Sequence, residues 1–210
     1  MKALLVLGSI ILLGLAAVTP ALAVSPTEEL RQYTDRVLRV LQTPALTPDA
    51  RRAAVRDLAV EVFDVPEAAR RALGPHWQRR TPAEREEFVR LFRELLDQTY
   101  VWRIDEYGGE RIRFVSEQID GDSAVVRARI VTKNGIEVPV ESRLLRRGDR
   151  WLMYDVLIEN VSLIANYRSQ FDRVIRSESY EELVKRLKAK ADRSPGGKPS
   201  SDRALEPAPR

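Results

Sequence analysis

Few side chains in this chain of 210 residues are suited to reaction chemistry. Its single histidine, His76, stands between Pro75 and Trp77. A lone imidazole with no acid at a matching spacing reads as structural before it reads as a general base. The chain has no cysteine, which excludes thiolate nucleophiles and thiolate metal sites. Ser162 has no second histidine to activate it, and its place ahead of an apolar helical run fits an N-cap. Glu84, Glu86 and Glu87 intermix with Arg85, as on a solvated helix face. Asp155 is the one acid inside an apolar strand, "WLMYDVLI", where a bond to a nearby Arg or to backbone is expected of it. Asp155 with Tyr154 or His76 is the only acid–base pair the sequence offers. Neither GxxxxGK[ST] nor GxGxxG occurs, so no phosphate-cradling loop is present. No catalytic residue, metal ligand or cofactor is assigned.

The elements that must position these residues begin after a leader. Met1-Lys2 is a short positive start, residues 3–18 are nearly all apolar, and Pro20 precedes Ala21-Leu22-Ala23, a small-x-small cleavage pattern. This is the layout of a secretory signal peptide cut after Ala23, so export to the periplasm is expected. Loss of Lys2 takes the formal net charge from +4 to about +3, spread along the chain in mixed sign. No basic stripe with interleaved aromatics points to nucleic acid. Three segments follow: residues 1–23 as the signal peptide, 24–192 as one folded domain, and 193–210, rich in Pro, Gly and Ser, as a disordered tail.

Within the domain, Pro26 and Glu28-Glu29 open a first helix carrying Leu30, Tyr33, Val37 and Leu41 at helical spacing. Thr47-Pro48-Asp49 opens a second, with Val55, Leu58, Val62 and Phe63 toward the core, and a short third helix over 67–73 ends at Gly74-Pro75. Thr81, Pro82 and Glu84 form a capping box and proline start for a long helix over 81–105. Phe88, Leu91, Phe92, Leu95, Thr99 and Trp102 make its apolar stripe. The period then changes to two. Four strands are expected: one around Ile112 and Phe114, then 124–131, 136–144 and 151–158. Asn134-Gly135 is expected to make a tight primed hairpin turn. Pro139 marks a bulge or an outward edge position. Both faces of the last strand are apolar, so it is covered on both sides. Helices over 162–176 and 179–191 close the domain. The class is α+β: N-terminal helices, a long helix packed on a curved antiparallel four-stranded meander, and two C-terminal helices, arranged as a cone with an apolar interior.

Two stretches, "ALGPHWQRRTPAEREEFVRLFRELLDQTY" (72–100) and "WLMYDVLIENVSLIANYRSQF" (151–171), resemble the MlaC family of periplasmic phospholipid-binding, or toluene-tolerance, proteins. The likeness runs over nearly all of the domain, with elements in the family's order. It implies a fold related to nuclear transport factor 2 and an apolar pocket holding glycerophospholipid acyl chains, with the headgroup outside. It also implies partners: an outer-membrane MlaA-like lipoprotein complex, and an inner-membrane ABC transporter with an MlaD-like ring that carries the ATPase. Such a system maintains outer-membrane lipid asymmetry. Two positions depart from the pattern: Asn160 stands where the family usually has Gly, and Ser142 where it often has an aromatic. Asn tolerates left-handed φ, so the corner can survive.

Periodicity and resemblance together nominate the pocket. Its lining is expected from Phe88, Phe92, Leu95 and Thr99 of the long helix, from Phe114, Val126, Ala128, Val140 and Leu144 of the strands, and from Tyr154, Val156, Ile158, Val161 and Ile164 at the corner. Tyr167 and Arg168 are candidates for headgroup or partner contact. Competing readings are a hopanoid or other polycyclic cargo, an unliganded interaction module, and an enzyme of the same cone-like fold. A monomer is expected, because no heptad seam is present.

Overall fold

The computed structural model describes residues 24–192, with the backbone alone at 102 and 103. The leader and the tail lie outside the described residues. Six α-helices and five strands follow in the order α1 (Pro26–Leu41), α2 (Pro48–Val62), α3 (Val65–Leu73), α4 (Pro82–Tyr100), β1 (Arg111–Asp120), β2 (Ser123–Val131), β3 (Glu137–Arg147), β4 (Arg150–Ile158), β5 (Val161–Ser162), α5 (Leu163–Ser177) and α6 (Tyr180–Ala191). Among these, no helix is long and apolar enough to cross a membrane.

The helix starts follow the local chemistry. Ser25, Thr47, Asp64, Thr81, Ser162 and Ser179 each accept a backbone N–H of the first turn, which satisfies donors that the helix leaves free. At α4 the capping box is complete, with Thr81 and Glu84 bonded reciprocally. This helix ends at Tyr100 and runs on as a 3-10 segment, Val101–Glu106, so the regular helix is shorter than its apolar stripe.

The sheet is a meander in the order β1-β2-β3-β4-β5, antiparallel throughout. Its two faces are set by register. Across β2 and β3, Ala124 meets Leu144, Val126 meets Ser142 and Ala128 meets Val140, so these six side chains share one face, here termed inner. Two irregularities interrupt the alternation that the sequence appears to carry. One lies between Phe114 and Ser116 of β1. The other sets Asp155 opposite Arg143 but Met153 opposite Leu144, which makes Tyr154 the extra residue of a bulge. A bulge re-aims every side chain beyond it. Trp151, Met153, Val156 and Ile158 therefore lie on the inner face, whereas unbroken alternation would separate Trp151 and Met153 from Val156 and Ile158.

Pro139 sits in β3 without cost to the ladder. Its carbonyl accepts the Glu159 N–H at 3.0 Å, so its missing donor faces the same side, where β4 has already turned away. The primed turn also falls elsewhere than at Asn134-Gly135. There Gly135 alone has positive φ, +79°, and its N–H bonds to Thr132 in a longer loop. Instead Glu159 (φ 50°) and Asn160 (φ 67°) make the two-residue connection between the paired Ile158 and Val161, the geometry of a type I′ hairpin.

Two apolar cores result. One is helical and joins α3, α4, α5 and α6 around Phe88, Phe92, Tyr167, Phe171 and Leu183. The other joins the inner sheet face to the N-terminal helices through Leu30, Val62, Ala124, Val126, Leu144 and Trp151. The helices resting on the sheet are chiefly α1, α2, α3 and α5, while the long α4 packs on α3 and α6. The expected seating of the long helix directly on the sheet is thus replaced by α1 and α2 on the inner face. Strand β4 is covered on both sides, by α2 and α1 within and by α3 and α5 without.

Candidate ligand-binding site

The nominated pocket residues divide between the two cores. Phe88 and Phe92 are fully buried and stack on one another with centroids 6.0 Å apart. Phe171 meets both rings edge-on, and Tyr167 meets Phe92 edge-on at 5.4 Å. Leu95 and Ile164 complete the same cluster. These side chains fill helical interior and form no lining for a ligand. An apolar stripe at helical spacing reads the same whether it faces a chamber or a neighbouring helix, and here it faces α3, α5 and α6. Tyr167 is 1% exposed, so it cannot meet a headgroup or partner. Arg168 is exposed, and its side chain lies across Gly74, where an added Cβ would come within 2.9 Å of its Nε. Thr99 is half-buried and donates its hydroxyl to the Leu95 carbonyl of its own helix.

The strand candidates are brought together. Phe114, Val126, Ala128, Val140, Leu144, Val156 and Ile158 share the inner face by register, and Val161 joins them as the cross-strand partner of Ile158. Tyr154 does not: as the bulge residue it turns to the opposite side, where the Arg71 guanidinium stacks on its ring at 4.0 Å. The inner face also carries Ile112, Ile130, Val138, Ser142, Trp151 and Met153, which the list of candidates lacked. Even-numbered alternation in β2 and β3 already marked several of them.

Burial along this face is graded. At one end Leu30 of α1 and Val62 of α2 cover Ala124, Val126, Leu144 and Trp151. The same end is tied by Thr27 N–H to Glu117 (3.0 Å) and by Arg150 to Glu29 (2.7 Å). The Phe63–Asp64 link between α2 and α3 pairs with β4 there too, the Asp64 N–H reaching the Met153 carbonyl at 2.7 Å. Toward the other end the cover thins. Phe114, Ile130, Val138, Val140, Ser142 and Val156 are only half-buried, and Ile112 (39%), Ile158 (49%) and Val161 (52%) are exposed. An apolar strip thus leads from a closed floor to an open mouth flanked by the C-terminal end of α1, where Gln42 donates to the Tyr107 hydroxyl. Exposed apolar surface that is continuous with a core marks a binding surface.

The two titratable candidates, Asp155 and His76, are held apart, each by its own partners. Asp155 lies buried on the outer side of β4, accepting the Ser162 hydroxyl (2.7 Å) and the Ile164 N–H (3.1 Å), with Arg143 at 3.9 Å. It ties the strand to the start of α5. His76 pairs instead with Asp172 at 2.8 Å. Hydrogen bonds from His76 and Arg176 hold the Asp172 carboxyl below the usual carboxylate range. Neither Asp155 nor His76 faces the apolar strip. Among the described residues no cluster of three metal-ligating side chains occurs. A surface groove of about 540 Å³ between α4 and α6 is edged by Glu84, Glu87, Glu181, Lys185 and Lys188. Its charged rim, with Lys188 paired to Glu87 at 2.7 Å, is unsuited to acyl chains.

Comparison with known proteins agrees with this architecture. The family model described as "MlaC protein" matches residues 31–189. The intermembrane phospholipid transport system binding protein MlaC of Haemophilus influenzae is 22% identical over 176 residues, covering 80% of this chain and 82% of the relative. Among solved structures, a phospholipid-binding protein from Ralstonia solanacearum, in complex with a phospholipid, superposes with a TM-score of 0.68 at 23% identity. That alignment covers 78% of this chain and 94% of the other. With the match running through both cores and the whole sheet, the chain belongs to the MlaC family.

Proposed function

We propose that this chain is a periplasmic carrier that holds the acyl chains of a glycerophospholipid against the inner sheet face and ferries it between membrane complexes. The observation that carries this reading is the apolar strip running from the buried Val126 and Leu144 to the exposed Ile112 and Ile158. The relative named as a phospholipid transport binding protein and the neighbour solved with a phospholipid support the choice of cargo. A transferred lipid has to keep its tails out of water. Two acyl chains with about 30 methylenes represent roughly 24 kcal/mol of exposure at about 0.8 kcal/mol each. Only a continuous apolar surface offsets a cost of that size. The headgroup stays at the open mouth. The partners are an inner-membrane transporter with an MlaD-like ring and an outer-membrane MlaA-like complex. The carrier works as a monomer and without catalysis.

The test is to purify the chain from Val24 onward from a Gram-negative host, extract it with organic solvent and identify the lipid by mass spectrometry. One diacyl phospholipid per chain is expected. A hopanoid would keep the site and replace the cargo. A folded monomer that carries no lipid would sink the proposal.

A further inference from the structure

The opposite face of the meander carries a second surface with different chemistry. Register places Arg111, Arg113, Arg127, Arg129 and Arg143 there, on the side away from Phe114, Val126 and Val140. The helices on that side pack on β4, through α3 and α5, and leave β1, β2 and β3 uncovered. The guanidinia are organised in pairs. Arg113 and Arg129 share Glu137, at 2.6 and 3.4 Å. Arg127 and Arg143 share Glu141, both at 3.2 Å. Each carboxylate is therefore divided between two cations, and each of these four Arg side chains remains 40–57% exposed. Five guanidinia stand against three carboxylates of the same strands, Glu137, Glu141 and, at the far end, Asp120, since Asp155 is already engaged beneath them by Ser162 and Ile164.

We infer that this arginine ladder is a docking surface for an acidic face of a partner protein. The inference rests on the carrier reading in one respect: a shuttle must dock and leave. An arginine fixed in plane by a shared carboxylate keeps N–H edges free for a second carboxylate, and the guanidinium fork suits that geometry. An anionic bilayer attracts arginine as well as lysine, but a surface that rests on it also carries aromatic side chains at the interface. The outer positions of β1, β2 and β3 hold no aromatic residue. The ladder extends roughly 20 Å along the strands and 10 Å across them, from strand geometry. That is the scale of an encounter steered by charge and easily released, well below a permanent interface. The ladder lies on the far side of the sheet from the apolar strip, so a docked partner leaves the open mouth accessible.

The variant pair R113Q/R127Q tests this without stripping the sheet, because Glu137 keeps Arg129 and Glu141 keeps Arg143. S116E places an acid in the middle of the ladder and removes none of its ion pairs. R90Q/R173Q removes equal charge from α4 and α5 as a control. The mature chain is passed over immobilised poly-L-glutamate and, separately, mixed with phosphatidylglycerol vesicles at matched salt. Retention of R113Q/R127Q and S116E on poly-L-glutamate should fall about ten-fold, with the control unchanged. An equal fall in the control would overturn the proposal by reducing it to net charge. Vesicle binding lost in the same two variants, with poly-L-glutamate retention intact, would overturn it in favour of a membrane surface. Lipid content, measured alongside, should be unaffected in every variant. An empty wild-type protein would count against the carrier reading and leave the docking result to stand on its own.

Discussion

Asp155 lies inside the fold because its neighbours give it partners there. Replacing it by Ala leaves the Ser162 hydroxyl and the Ile164 N–H without an acceptor at a buried site, at a cost of about 1–3 kcal/mol. D155A should lower the urea midpoint by a corresponding amount. A fold as stable as wild type would show that the carboxylate does not tie β4 to α5. A second expectation concerns alkali. Burial pushes the Tyr33 phenol from 10.0 up to about 12, so the folded state favours the neutral ring. Its contribution is complete below pH 10.0 and is lost as pH rises through about 12. Stability measured at stepped pH should decline over that window, and Y33F should lessen the decline without abolishing it, because burial raises the Tyr180 phenol to about 12 as well. At this scale the sequence was informative about single residues in a strong local setting. The roles of Asp155 and Ser162 followed from an acid in an apolar strand and a hydroxyl ahead of a helix. Tyr167 was not legible, because an aromatic at the start of a helix reads alike whether it faces outward or packs between Phe92 and Phe171.

The helices were predictable element by element because their caps are written in short stretches, as in Thr81-Pro82-Ala83-Glu84. The faces of the strands were less so. A bulge is one residue inserted into an alternating pattern, and in "WLMYDVLI" every candidate for that residue except Asp155 is apolar. Only the register against β3 shows that Tyr154 is the extra one. That gives a sharp test of the element. Deleting Tyr154 restores strict alternation and keeps every face, with Met153 and Val156 inward and Asp155 outward, whereas deleting Leu152 shortens the strand equally but turns Met153 outward and Tyr154 inward. The Leu152 deletion should therefore cost far more than the Tyr154 deletion, which loses the bulge and the contact with Arg71. Thermal melts of the two variants decide it, and equal stability would show that Tyr154 is not the extra residue. The Glu159-Asn160 corner was read for the right property, backbone tolerance of positive φ. The sequence did not show that both residues adopt it and so build a hairpin before the helix begins.

At the scale of the molecule the two cores should respond differently to mutation. F92A opens a cavity in the helical core and should destabilise by about 3–5 kcal/mol, with lipid still found on whatever protein remains folded. V156D puts a charge on the half-buried inner face and should empty the protein of lipid while leaving most of its stability. Urea melts paired with lipid mass spectrometry read both quantities, and an exchange of the two phenotypes would show that the ligand lies in the helical core. That division was hidden from the sequence because α1 and α2 cover the sheet through ordinary stripes, Leu30 with Tyr33 and Val55 with Val62, that announce burial without naming the neighbour. The unevenly covered inner face also bears on how long the protein survives. With the mouth empty, Ile112, Ile158 and Val161 lie open to water and to one another on neighbouring copies. On the proposed reading a bound lipid covers them and stabilises the fold by mass action. Empty copies should then fall to proteases and aggregation faster than loaded ones, which would make the standing amount of this protein a gauge of the lipid available to it.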